Sequence, residues 1–418
     1  MNDSPSYFSA IQKTGKGLID DIKPSKLNSN AKYFLVGGLM NGVFNGVFNV
    51  VMMLYLATFG FNAQSLGLIF MMNSLSSTVL MIPAGILADK VGKRPMIIIG
   101  TVAAILGVIA FFFANSVETF ALSFLLIGVC NAAAAVFTPL YSSFFEGYDL
   151  ARAFSLFGFL NIIATSLGSI GGFIPPYLAS SMGFTLFEAY RVTMIAAAVL
   201  FVLQFVITYI SALGVNETLS KGFSLFLKSR AVVLKICGIG LLANVAGGLL
   251  FSLFPYYLYM KLGVGSAALG TLFLVSNLAM AMSKGLAAGI ARRIGGLRSI
   301  TVGVALSAFF ILLMPISPGF GIMAILYVLR SGTGFMSEPL ITSIFMRSIG
   351  EDEKSTANSV RMISMNAGGI VSPALGGAMM EQLGLDSPAY LGGVLMLVVA
   401  ALYSLLLREE SRLLEKKD

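Results

Sequence analysis

The sequence predicts an all-α membrane protein with twelve transmembrane helices in two pseudo-symmetric six-helix bundles. Three observations carry that expectation: an apolar composition, twelve long apolar runs, and a repeat of one half of the chain in the other. Of 418 residues, 57% are hydrophobic and 11% charged, with a mean hydropathy of +0.89. A soluble domain carries about 25% charged residues. A helix that crosses a bilayer needs about 20 largely apolar residues, because no backbone polar group can stay unpaired in hydrocarbon.

Such runs fall at 33–59, 66–88, 95–114, 120–145, 153–178, 189–213, 232–260, 267–290, 299–316, 320–346, 357–380 and 388–407. Before them, residues 1–31 lack the basic start, apolar run and small-residue cleavage site of a signal peptide. Phe8, Ile11, Leu18, Ile19 and Ile22 fall near one helical face among Lys13, Lys16 and Lys23. This segment reads either as a helix lying on the membrane surface or as a disordered tail. The expected organisation is an N-terminal segment 1–31, a bundle over 32–213, a linker over 214–231, a second bundle over 232–407 and a tail over 408–418.

The repeat sets that division. At an offset of 203 residues, Asn41 falls on Asn244, Gly60 on Gly263, Leu66-Gly67 on Leu269-Gly270, Phe70 on Phe273 and Gly92 on Gly295. The fourth and tenth runs echo each other as "TPLYSSFF" from Thr138 and "EPLITSIF" from Glu338. Parallel six-helix repeats with a site near the membrane midplane at their interface are one known plan for transporters.

Charge orients the chain. With both termini on the cytoplasmic side, all but four of the 27 lysines and arginines fall on inside segments or the helix ends beside them. The exceptions are Arg191 and Lys261 outside, and Lys284 and Arg330 within spans. That bias follows the positive-inside rule, so the net charge of +8 reflects topology and anionic headgroups and calls for no nucleic acid. The expected location is a prokaryotic cell membrane. Cys130 and Cys237 lie within spans without metal-type spacing and read as small apolar residues. The absence of histidine removes the imidazole on which many hydrolases and metal sites depend. No catalytic residue, cofactor or metal is expected.

After the second run comes "GILADKVGKRP", Gly85 to Pro95. It resembles the signature of the major facilitator superfamily, Gly-x-Leu-Ala-Asp-(Arg/Lys)-x-Gly-(Arg/Lys)-(Arg/Lys), at every defining position. The resemblance spans about residues 32–407 and implies a transporter working by alternating access. The residues make sense unaided: Gly85 permits close helix contact, Gly92 a tight turn, and Lys93 and Arg94 hold the loop in the cytoplasm. By the resemblance, Asp89 sits at the start of the eleventh helix, near Ser355 to Asn358, and latches the outward-facing state; a topology determinant and turn is the plainer reading. In the second half "GIARRIGGLR" puts Arg292 in the place of Asp89. The arginine and the glycine–proline motif typical of drug–proton antiporters are missing from the fourth and fifth runs. A near match, "GGIVSPALGG" from Gly368 to Gly377, appears in the eleventh with Ser372 replacing a glycine.

Candidate pathway residues follow from spacing. In "NGVFNGVFN" Asn41, Asn45 and Asn49 form one polar stripe, and Gly38, Gly42 and Gly46 a second about 100° away. The glycine stripe suits close packing on a neighbouring helix. The amides must face protein or a water-filled cavity, so they read either as pathway lining, joined by Asn131 and Asn244, or as interhelical hydrogen bonds. The resemblance favours lining, because the first, fourth, seventh and tenth helices surround the pathway in that family. Arg330 either holds an anionic group of the substrate or pairs within its bundle.

Glu338 and Lys284 each lie about two turns from the cytoplasmic ends of their helices. Glu338 is the leading candidate for proton coupling: desolvation favours its neutral form and a lysine favours the carboxylate, so the balance can turn with conformation. A static salt bridge is the other reading. Glu146 with Arg94 or Arg152 reads as a cytoplasmic gate bridge.

The expectation is thus a secondary transporter that exports small amphipathic compounds coupled to protons, with a small-molecule substrate and membrane lipids as partners. Alternatives are uptake of a small organic anion or uncharged metabolite, a lipid flippase, or a receptor that binds without transport. Phe- and Met-rich helices with few fixed charges suit varied ligands.

Overall fold

The computed structural model describes residues 27–145, 148–213, 229–350 and 353–408. Among these residues twelve long helices form and no strand. They are α1 (Ser29–Ala57), α2 (Ala63–Val91), α3 (Lys93–Phe113), α4 (Val117–Ser142), α5 (Tyr148–Ser169, continued by Ile174–Met182) and α6 (Leu186–Ala212). The second half gives α7 (Arg230–Phe251, continued by Phe254–Leu262), α8 (Ser266–Ile294), α9 (Gly296–Leu313), α10 (Phe320–Arg347), α11 (Lys354–Gln382) and α12 (Ser387–Leu406). Twelve crossings leave both described chain ends on one face, here the terminal face. The surface helix considered for residues 1–31 and most of the 214–231 linker lie outside the described residues.

Local chemistry sets the starts and turns. Asn28 and Asn62 cap α1 and α2 by accepting from Ala31 N (2.7 Å) and Ser65 N (2.9 Å). Capping boxes open α4 at Ser116/Thr119 and α6 at Thr185/Glu188. The expected tight turn at Gly92 has φ +96°, and its repeat partner Gly295 has φ +90°, a region that side chains rarely tolerate. The two turns after α2 and α8 are therefore one motif used twice.

Eleven of the twelve helices are long and apolar enough to cross a membrane. The exception is α11, which the sequence reading counted among the apolar runs. It carries Arg361, Asn366 and Glu381 with several serines and glycines. Its place explains this: α11 packs on α2 of one bundle and α7 of the other, so its polar face meets protein rather than lipid. On α3 and α9, by contrast, Ile98, Val102 and Leu106 and then Val302, Leu306 and Phe309 are exposed apolar side chains. They form the surface that lipid would cover.

The glycine stripe of α1 packs on α5. A Cβ at Gly38 would lie 2.5 Å from the Phe157 ring, one at Gly42 2.6 Å from the Ala164 methyl, and one at Gly46 2.6 Å from the Ser169 nitrogen. The bundles meet each other in a similar way near the face opposite the termini. Gly67 of α2 lies against the Pro373 carbonyl of α11, and Gly377 of α11 against the Ala63 carbonyl of α2. The symmetric seam pairs Gly270 of α8 with the Ser169 carbonyl of α5, and Gly172 with the Ser266 carbonyl of α8. No methyl group fits at any of the four. Nearer the terminal face, Gly158 of α5 and Gly285 and Gly289 of α8 have nothing within 4 Å of where a Cβ would stand. The α5/α8 seam is closed at one face and slack toward the other.

Candidate functional site

Two adjoining cavities lie behind this clasp. The smaller, about 230 Å³, sits between the bundles, with Phe48, Asn49, Met52 and Phe70 on one side and Phe273, Asn277 and Tyr327 on the other. The larger, about 580 Å³, penetrates the C-terminal bundle and is lined by α7 through α12. They share Phe251, Ser252, Asn277 and Tyr327. The α7 helix breaks at Ser252–Leu253, just ahead of Pro255, because proline cannot donate the backbone bond that would carry the helix through. Tyr327 is held at the junction by stacking on Phe254 at 4.5 Å between ring centroids.

The asparagines divide. Asn45 donates its Nδ2 to the carbonyl and the Oδ1 of Asn41, both at 2.8 Å. Those two amides partner each other, and only Asn49 of the stripe lines a cavity. Asn244 lines the larger cavity and donates to the Gly240 carbonyl at 3.0 Å. Asn131 is exposed on α4, 3.5 Å from the Asn73 side chain, and lines neither cavity.

Arg330 projects from α10 into the larger cavity. Its guanidinium carbon stands 3.8 Å over the Phe251 ring centroid, the geometry of a cation–π contact. Gly247 makes room for it, since a Cβ there would lie 3.6 Å from an Arg330 terminal nitrogen. Its Nε is buried without a hydrogen-bond partner, and among the described residues no carboxylate pairs with it. Pairing within the bundle, one of the two sequence readings, has no acidic partner among the described residues. Two serines lining the same cavity, Ser307 and Ser372, likewise hold buried, unpartnered hydroxyls.

Two turns nearer the terminal face, Lys284 of α8 and Glu338 of α10 form an ion pair at 2.6 Å. Both are half-exposed, with 36% and 46% of their side-chain surface accessible. Lys284 also lies 5.6 Å from the Phe335 ring. Glu338 and a second cation, Arg361, line the larger cavity. Arg361 is only 8% exposed and donates to Thr342 Oγ1 at 3.1 Å. The sequence reading placed Arg361 with the helix-end charges because it lies one turn into the eleventh run; the fold turns it inward. Asn277, Tyr327, Ser307 and Ser372 were also missed. An amide alone in the middle of the eighth run was the one available signal.

In the signature loop, Lys93 donates to the Pro139 carbonyl at 3.1 Å and Arg94 Nε to the Ala212 carbonyl at 2.9 Å. Both tie the turn to the N-terminal bundle. The space around Gly85 is open, so the close helix contact expected there is not made: its face of α2 has no helix against it. The Asp89 side chain and Glu146 lie outside the described residues. Arg152 is partly buried near the start of α5. The expected helix start opposite Asp89 comes at Lys354, with Glu353 at the N-cap position.

A family model described as Major Facilitator Superfamily matches residues 34–348 and 236–418. The chain belongs to the Major Facilitator Superfamily. A superfamily relative from Methanocaldococcus jannaschii, an uncharacterised MFS-type transporter, is 23% identical over 367 residues, covering 84% of this chain and 90% of its own. The superfamily fold is equally plain in solved structures. The POT family transporter PepTSo aligns with TM-score 0.74 at 11% identity, over 94% of this chain and 99% of that one. A bacterial homologue of the lysosomal transporter Spinster aligns with TM-score 0.67 at 13% identity, over 91% and 96%. As a member of the superfamily, this chain is an integral membrane transporter.

Proposed function

We propose that this transporter exports small amphipathic compounds in exchange for protons, with both termini in the cytoplasm and the N- and C-terminal bundles bounded near 32–213 and 232–407. The Lys284–Glu338 pair carries the reading. It puts a carboxylate at the wall of a cavity within the membrane, opposite a cation on another helix. A proton on Glu338 cancels its attraction to Lys284, and loss of the proton restores it. A carboxylate that is ionised in one conformation and protonated in the other couples the proton gradient to the rocking of the bundles.

The slack α5/α8 seam supports loading from the terminal, cytoplasmic side. The aromatic and thioether lining of the smaller cavity supports an apolar body on the substrate. Asp89 with the α11 start is proposed as the latch of the opposite state, and Glu146 with Arg94 or Arg152 as a cytoplasmic gate. Uptake of an organic anion is the second reading, favoured by the guanidinium of Arg330, which faces the cavity without a carboxylate.

Proton flux in proteoliposomes tests the coupling, with wild type compared against Glu338→Gln while lipophilic cations, organic anions and sugars are added in turn. Ligand-dependent proton movement that disappears in the variant is expected. Substrate movement that is equal in the two proteins would remove Glu338 from the mechanism.

A further inference from the structure

The larger cavity is unusual in what it leaves unpaired. A buried donor without a partner costs about 1–3 kcal/mol, more when charged, so proteins rarely keep several in one place. Here three residues that line one cavity each hold a buried polar atom without a partner: Arg330 Nε, Ser307 Oγ and Ser372 Oγ. They also cluster. The Arg330 guanidinium reaches Gly247 on α7, and the Ser372 hydroxyl lies against the next residue, Gly248. Ser307 Oγ stands 3.0 Å from where a Cβ on Gly334 would be, one helical turn along α10 from Arg330.

Among the described residues, the surrounding charge is mostly positive. Along one face of α10 stand Arg330, Glu338 and Thr342, about 12 and 18 Å apart from Arg330 by helical rise. At the Thr342 level is Arg361, and at the Glu338 level Lys284. Three cations therefore meet a single carboxylate, and that carboxylate is already paired with Lys284. The half of the smaller cavity that faces them holds Phe48, Phe70 and Met52, with Asn49 as its polar group.

We propose that the C-terminal bundle binds the anionic head of the transported compound, and that the substrates are amphipathic organic monoanions of the carboxylate type. Arg330, stacked on Phe251, anchors the head. The Ser307 and Ser372 hydroxyls donate to its remaining oxygen lone pairs, and the apolar body lies between Phe48, Phe70 and Phe273. Arginine suits this role because its planar fork matches a carboxylate and stays charged when buried. Arg361 and Lys284 draw the anion toward the site from the terminal side.

This rests on the transport reading above but is tested without transport. The full chain in nanodiscs is titrated with benzoate, naphthoate and anthracene carboxylate, each beside its primary amide and its methylammonium analogue, and the binding is followed calorimetrically. Wild type should bind at least the larger carboxylates more tightly than their amides and ammonium analogues. Arg330→Gln should erase that preference with a loss of about ten- to hundredfold in carboxylate affinity, the usual worth of a charge-assisted hydrogen bond. The Ser307→Ala/Ser372→Ala double variant should lose several-fold. Amides or ammonium compounds binding as well as the carboxylates, or no carboxylate binding at all, overturns the proposal even if Arg330→Gln does not fold. A preference unchanged in a folded Arg330→Gln protein overturns it too. Anion preference in a protein that shows no coupled proton flux sinks the coupling reading alone.

Discussion

Gly172 of α5 sits against the backbone carbonyl of Ser266 on α8 with no room for a methyl group between them. The same contact recurs at Gly377 of α11 on Ala63 of α2, so each seam between the bundles is closed by backbone touching backbone. Gly172→Ala and Gly377→Ala should each loosen this closure. Asn49, exposed beside the smaller cavity, offers the readout. In a background with Cys130 and Cys237 replaced by serine, Asn49→Cys should react several-fold faster with an impermeant thiol reagent added from the face opposite the termini. Unchanged labelling would show that the glycines are not what holds the seam.

Gly46 meets α5 within one bundle, not between bundles. Gly46→Val should therefore cost stability in every conformation, about 1–3 kcal/mol as overpacking does. A lower unfolding temperature in detergent checks this, and it should not depend on which face is open.

Room for Arg330 depends on Gly247. A methyl group there would make ordinary contact at 3.6 Å, so Gly247→Ala should leave carboxylate binding within about twofold. Gly247→Leu should displace the guanidinium from Phe251 and weaken carboxylates about tenfold while sparing neutral analogues. Calorimetry on the two variants separates the outcomes.

At the face opposite the termini, Asp386 accepts from the Tyr257 hydroxyl at 2.6 Å and from Lys261 at 2.5 Å, while Lys261 also donates to the Pro315 carbonyl at 2.6 Å. This knot ties α7 to α12 and to the end of α9, away from both cavities. Asp386→Asn should lower stability by about 1 kcal/mol, modest because the carboxylate is partly exposed, and leave ligand binding unchanged. A changed ligand profile would mean the knot is part of the transport path.

How much of this was readable in advance varies with the range of the interaction that decides it. Span positions follow from apolar runs, and the turn at Gly92 from its repeat at Gly295, because both are local. The glycine stripe of α1 was legible as a packing face, but its partner, α5, was not. The amides show the limit well. Spacing puts Asn41, Asn45 and Asn49 on one face, yet a helical turn also lets Asn45 reach Asn41, which leaves Asn49 as the stripe's contribution to a cavity. Arg361 was misplaced because its depth depends on the tilt and packing of α11. The larger cavity was not visible at all, since a void among six helices depends on which glycines face inward together.

The polarity of α11 bears on how the protein is made. A helix too polar to leave the insertion machinery for lipid alone must wait for company. It can be retained only when a neighbour shields its charged and amide groups. The neighbours that shield it, α2 and α7, come earlier in the chain, so chains truncated after Gln382 should hold α11 in the bilayer only while both are present, as glycosylation mapping would detect.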